Sequence, residues 1–243
     1  LISIYIDGVL KNTGDISSES SHKNIYNLEI SSNSTSSYWP GDIDEVKIYK
    51  YARTPAQIVE DMNAGHPTGG SPIGSQTIYW KFDEMYGSTT YDAVNNSNGT
   101  ISGAAWTTQE DCKIGSCLSF DGSNDVVTIA TANDSSVDFN GSEAFTISAW
   151  VYQGGLNFPE GTDKDLIVGK WEDAITDLRA YRLYVSNDGG DNINITAEIY
   201  DESANQSITA TCAESFWCGL SNGWTHVAFT FNGGTAGAAG DLK

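Results

Sequence analysis

Apolar and polar residues alternate in short runs along most of this chain, the period-2 pattern of half-buried β-strands. Leu1–Ile6 alternates and stops at Asp7-Gly8, a hairpin-turn dipeptide. Ile43–Tyr49 sets Ile43, Val46 and Ile48 among polar neighbours. Further strands are predicted at Ile78–Phe82, Leu118–Phe120, Asp125–Ile129, Ala144–Tyr152, Leu166–Trp171, Tyr181–Val185, Ile193–Tyr200 and Trp224–Phe231. Gly, Asn, Asp and Ser separate these runs at short intervals, as in a sandwich or barrel. One helix is predicted, with Thr54 as cap, Pro55 at the first helical position, Ala56–Met62 as body and Gly65 as stop. Its Ile58, Val59 and Met62 have helical spacing and should pack against a sandwich edge.

The alternation breaks at Gly65–Gln76, a Gly/Pro/Ser-rich stretch that reads as an exposed linker. It divides the chain into residues 1–64 and 77–243. The first piece, with a few strands and the helix, is too small to bury a sheet face alone.

Charge narrows the classes of function. A formal net charge of −20 lacks the Lys and Arg that phosphate contacts need, so nucleic acid is excluded as a partner. No apolar run reaches the roughly 18 residues of a spanning helix, so membrane insertion is not expected. No signal peptide stands at the start, and the chain reads as a mature fragment or one unit of something longer. Four cysteines form two close pairs, Cys112/Cys117 and Cys212/Cys218. They allow three connectivities; local disulfides are favoured over zinc, because neither pair has a two-residue gap and His22, His66 and His226 cluster with neither. Disulfides imply an extracellular location, secreted or at the cell surface. Asn-x-Ser/Thr begins at Asn33, Asn95, Asn98, Asn133, Asn140, Asn194 and Asn205, a surface fit to carry glycans.

Several strings resemble the laminin-G-like, concanavalin A-like jelly-roll family: Trp80–Glu84 (WKFDE), Gly115–Val126 with Leu118, Phe120, Asp121, Gly122 and Asp125, Phe145–Val151 (FTISAWV) and Trp224–Phe231 (WTHVAFTF). The family's closing elements are present too, as Tyr5–Gly8 and Gly41–Tyr49, but they come first in this chain. The resemblance implies an all-β, two-sheet antiparallel jelly-roll sandwich with one short helix, written in rotated order. On this reading residues 1–64 are the closing strands and helix, and 77–243 the opening and central strands. Three arrangements explain the rotation: a repeat unit completed by the next copy, a circular permutant, or a fragment spanning two domains. The complementary ends favour the first, with further copies of the chain as partners joined by strand complementation. The expected function is then a non-enzymatic, extracellular structural or adhesion module, one unit of a glycosylated surface filament.

The resemblance also implies a structural calcium, held by Asp44, Asp83, Asp121 and the Gly122 carbonyl, since a hard cation takes six to eight oxygens. The rival function is glycan binding, as a lectin-like module attached to a secreted hydrolase. Its stacking candidates are Trp39, Trp171 and Trp217, which lie at loops or strand ends, whereas Trp80, Trp150 and Trp224 read as core. Catalysis has little support. The E-x-D-x-x-E strand of sandwich glucanases is absent, Glu29 and Glu198 stand alone, and His226 sits at a structural strand position.

Overall fold

The computed structural model describes residues 1–14, 25–32, 38–63, 76–108, 110–139, 143–153, 164–173, 179–187, 193–201, 205–212, 218, 220 and 223–233. They form two antiparallel sheets and one helix. The strands are β1 (Ile2–Ile6), β2 (Val9–Gly14), β3 (Leu28–Ile30), β4 (Pro40–Tyr49), β5 (Ile78–Trp80), β6 (Thr89–Thr90), β7 (Gly99–Ser102), β8 (Ala105–Thr107), β9 (Cys117–Asp121), β10 (Val126–Ile129), β11 (Phe145–Gln153), β12 (Lys164–Trp171), β13 (Arg179–Asn187), β14 (Ile193–Asp201), β15 (Gln206–Cys212) and β16 (Thr225–Phe231). The first sheet runs β2-β1-β16-β11-β4-β9-β8, with β5 also on β4; the second runs β15-β14-β13-β12-β3-β10-β7-β6.

Three early strands, β1, β3 and β4, lie inside the two sheets, and β2 forms an edge. β1 pairs with β16, from Ile2 opposite Phe231 to Ile6 opposite Val227. β4 lies between β11 and β9, and β3 between β12 and β10. The two pieces of the rotated order therefore pair within one chain. One continuous core joins Ile4, Ile43 and Trp39 to Phe145, Leu183 and Phe229. Alternation does the sorting: the inward residues of each strand are apolar, and the outward ones carry the chemistry.

The helix α1 (Pro55–Met62) starts on a complete capping box, in which Thr54 accepts from Gln57 N–H and the Gln57 side chain accepts from Thr54 N–H. It ends at Asn63; Gly65 and the rest of the linker up to residue 75 lie outside the described residues. Ile58 packs beneath it against Tyr5 and Ala228 on the outer face of the first sheet. Val59 is exposed, so this helix covers a sheet face with a narrow apolar stripe.

Both disulfides are local, Cys112–Cys117 and Cys212–Cys218. Two of the three candidate stacking indoles are not at the surface. Trp39 is 0% and Trp171 2% exposed; Trp39 joins the core, and Trp171 lies under the Arg182 guanidinium at 4.0 Å. Trp217, Asn33 and Asn140 lie outside the described residues. Asn95, Asn133 and Asn205 are exposed, and Asn98 and Asn194 half-buried.

Candidate functional site

The outward residues of β4 alternate as Asp42 and Asp44, and each begins a row across the first sheet. In one row, register sets Tyr152 of β11 beside Asp42, and Asp42 beside Ser119 of β9. In the next, Asp44 stands beside Trp150, and Trp150 beside His226. The segment 110–116, tied by the Cys112–Cys117 disulfide, crosses over these rows and treats them differently.

Over Asp44 it forms a seal. Ile114 N–H donates to Asp44 Oδ2 at 2.9 Å, and the Lys113 ammonium lies 3.6 Å from the Trp150 ring centre. Ser116 N–H donates to Asp83 Oδ1, and Ser116 Oγ to the Phe82 carbonyl. Gly115 makes this closure possible: its φ is +63°, and a Cβ there would lie 1.9 Å from Asp83 Oδ1. Burial, reinforced by the charges of Glu45 and Asp83, pushes the Asp44 carboxyl up to about 8 against the opposing Ile114 hydrogen bond. His226 is likewise sealed; burial, then the cations Lys47, Lys113 and Arg53, pushes it down to about 3. It packs as a neutral ring edge-on to Trp150 at 5.3 Å.

Over Asp42 the same segment leaves a cavity of ≈ 420 Å³, lined by Asp42, Ser119, Tyr152, Trp224, Glu110 and Asp111, with Thr107 and Cys112 completing the wall. The Trp224 and Tyr152 rings stand 5.9 Å apart at 45°. Trp224 Nε1–H donates to the Asp111 carbonyl at 3.0 Å, pinning the indole to the disulfide loop. Partial burial, then the charge of Asp111, raises Asp42 above the usual carboxylate range, while a Ser119 hydrogen bond works the other way. The wall thus combines two aromatic rings with three carboxyl side chains. Sequence reading missed this site because Trp224 begins a strand string that reads as core, and Glu110 and Asp111 come from a segment with no motif of its own.

The four expected calcium ligands are not brought together. Asp44 and Asp83 are neighbours under segment 110–116, but Asp121 pairs with Pro40, four residues from Asp44 on β4, roughly 13 Å along the strand. Asp121 Oδ1 accepts from Ser123 N–H, and Gly122 takes φ +77°, which makes a local turn. Among the described residues no three His, Cys, Asp or Glu side chains converge as a metal site would need. Asp44 Oδ1 is buried without a hydrogen-bond partner, yet two carboxylates fall well short of a six-oxygen cage. The four-ligand set does not fit calcium.

The laminin-G-like family model described as the concanavalin A-like lectin/glucanases superfamily matches residues 2–59 and 121–239. No curated protein and no solved structure matches the chain. Asp42, Tyr152 and Trp224 fall inside the matched segments; Thr107, Glu110, Asp111, Cys112 and Ser119 fall between them. The matched segments thus supply Asp42, Tyr152 and Trp224, and the stretch between them supplies the rest of the wall. With both sheets in place and most of the chain matched, this chain belongs to the laminin-G-like domains of the concanavalin A-like lectin/glucanase superfamily.

Proposed function

We propose that this domain is an extracellular, non-enzymatic binding module that takes a carbohydrate in the Asp42–Trp224 cavity. The observation that carries the reading is the pairing of two ring faces, Tyr152 and Trp224, with the acceptors Asp42, Glu110, Asp111 and Ser119 in one open hollow. Sugar rings present C–H faces that pack on aromatics and hydroxyls that donate to carboxylates; a cavity of ≈ 420 Å³ lies within the usual range for small-ligand sites. The three carboxylates are spread along the wall instead of meeting at a point, which suits several hydroxyls better than one ion. Two disulfides support an oxidising compartment. β1 and β4 pair within the chain, so a single copy can complete both sheets around this cavity.

A glycan array read with the wild type and with Trp224→Ala tests this. Wild-type binding to a defined set of glycans is expected, weakened by about 2 kcal/mol, roughly thirtyfold, when the indole is removed. Trp224→Ala also loses the Asp111 hydrogen bond and the packing on Tyr152, so its melting temperature should fall modestly and binding is compared well below it. Failure to bind any glycan, or undiminished binding by Trp224→Ala, would overturn the proposal.

A further inference from the structure

Lys170, at the end of β12, projects into the interior between two aspartates of the segment joining β10 to β11. Its Nζ lies 3.0 Å from Asp134 Oδ2 and 2.5 Å from Asp138 Oδ1. The lysine side chain is 0% exposed, Asp134 1% and Asp138 14%. The walls are apolar and aromatic: Val137, Phe139, Phe145 and Tyr181 are all buried. Phe139 stacks on Phe145 at 4.2 Å, and the Tyr181 hydroxyl donates to the Val137 carbonyl. Tyr181 faces Lys170 in the β12–β13 register and feels both aspartate charges.

We infer that Lys170 and Asp134 condense into an intramolecular isopeptide bond, with Asp138 as the proton carrier. Three parts are needed, and all three are present: an amine held against a carboxyl, a second carboxylate touching the same nitrogen, and a dry surround. Asp134 is the more deeply buried of the two acids, and burial favours its protonated form. Burial, the largest influence, indeed holds Asp134 above the usual carboxylate range against the opposing pull of Lys170.

The step balances without an oxidant or cofactor. The ammonium passes a proton to the Asp134 carboxylate, giving an amine beside a neutral acid. The Nζ lone pair forms a bond to Asp134 Cγ. Asp138 takes a proton from the nitrogen and returns it to a Cγ hydroxyl, the C–O bond breaks, and water leaves. Two buried charges become one neutral amide, an outcome that a low-dielectric interior favours and bulk water does not. Fixed contact replaces a bimolecular encounter, which supplies an effective molarity on the order of 10⁵ M or more. The bond would tie β12 to the connection that carries the chain from the second sheet to the first.

Intact-mass measurement decides the matter. The full-length chain, made in a host that does not N-glycosylate, is unfolded and its disulfides reduced before weighing. The expected mass is one water below that of the sequence, and a tryptic digest should contain the branched peptide 114–164 joined to 165–179 through Lys170 and Asp134. Asp138→Ala should lose most of the branched peptide, and Lys170→Arg all of it. An unshifted wild-type mass would reduce the trio to an ion pair and overturn the inference. A branch at Asp138, or full cross-linking in Asp138→Ala, would overturn the assigned roles. Since the mass is read on unfolded chains, a poorly folded variant does not obscure the wild-type answer.

Discussion

Asp42 and Asp44 sit two residues apart on the same face of the same strand, under the same disulfide-tied segment, and their surroundings could hardly differ more. Asp44 is closed off by Ile114 and Lys113 and reads as a buried acid. Asp42 opens on a hollow walled by Tyr152 and Trp224. The difference comes from the crossing segment and not from the strand. Gly115 lets the chain drop onto Asp83 and Asp44, whereas Asp111 stands off and holds Trp224 upright at the rim. A carboxylate becomes structural or ligand-facing according to what passes over it.

The largest effect expected from breaking this contrast is on pH stability. The folded-state value for Asp44, about 8, lies above its ordinary 3.8, so the folded protein holds a proton that the unfolded chain has released. Stability from this group is therefore full at acid pH and is lost as pH rises from about 4 through 8. Between about pH 5 and pH 9 the loss amounts to about 4 kcal/mol at most. Other raised carboxyls, among them Glu29 at about 7, act in the same direction, so the difference between proteins is the informative quantity. Urea unfolding of wild type and Asp44→Asn should show a flatter pH dependence in the variant. Equal slopes would mean that Asp44 is not sealed. Asp42→Asn, its side chain already half in solvent, should change the slope far less.

A smaller effect is expected from opening the segment itself. The Cys112–Cys117 loop is short, with a sequence separation of 5, and the chain-entropy estimate for so small a ring is about 2 kcal/mol. The double variant Cys112→Ser/Cys117→Ser should unfold at correspondingly lower urea and bind the glycan more weakly. Removing Cys212–Cys218, on the far sheet, should lower stability without touching binding. If both doubles left binding intact, segment 110–116 would not be holding the cavity wall.

How far this contrast could be read from the sequence depends on which contacts are local. Strand alternation and the Thr54-Pro55 start of the helix are encoded within a few residues, so the all-β class, the rotated strings and α1 were legible. β2, β6, β7, β8 and β15 were missed, because VLKNTG and QSITATC carry few apolar positions and β6, β7 and β8 are only two to four residues long. Tryptophan exposure was misjudged in both directions. Trp39 and Trp171 lie at strand ends yet are buried, while Trp224 opens a core-like string yet lines the cavity. Whether an indole at a strand end meets solvent is decided by chain from elsewhere, here Arg182 over Trp171 and Asp111 beside Trp224. The calcium set failed for the same reason: matched strings place Asp44 and Asp121 in the right strands, but β4–β9 register holds them apart.

The smallest effect is expected where the resemblance placed a ligand and the structure shows a turn. Asp121 accepts from Ser123 N–H at 2.8 Å, and its own N–H donates to Asp125 Oδ2 at 2.8 Å. An amide at position 121 keeps the accepting oxygen, and the backbone bond to Asp125 does not depend on the side chain at all. Gly122 supplies the positive φ that the turn needs, with Pro40 packed where a Cβ would project. Asp121→Asn should therefore change stability by no more than about 0.5 kcal/mol. Millimolar calcium should leave the melting temperature of wild type and variant unchanged, whereas a site that bound calcium only in the folded state would raise it with the logarithm of the ligand excess. A calcium-dependent rise that Asp121→Asn abolished would mean that the two acidic clusters, distant in this fold, come together around an ion. A rise that survives Asp121→Asn but disappears in Asp44→Asn would instead place the ion under segment 110–116, and would turn the sealed acid into the functional member of the pair.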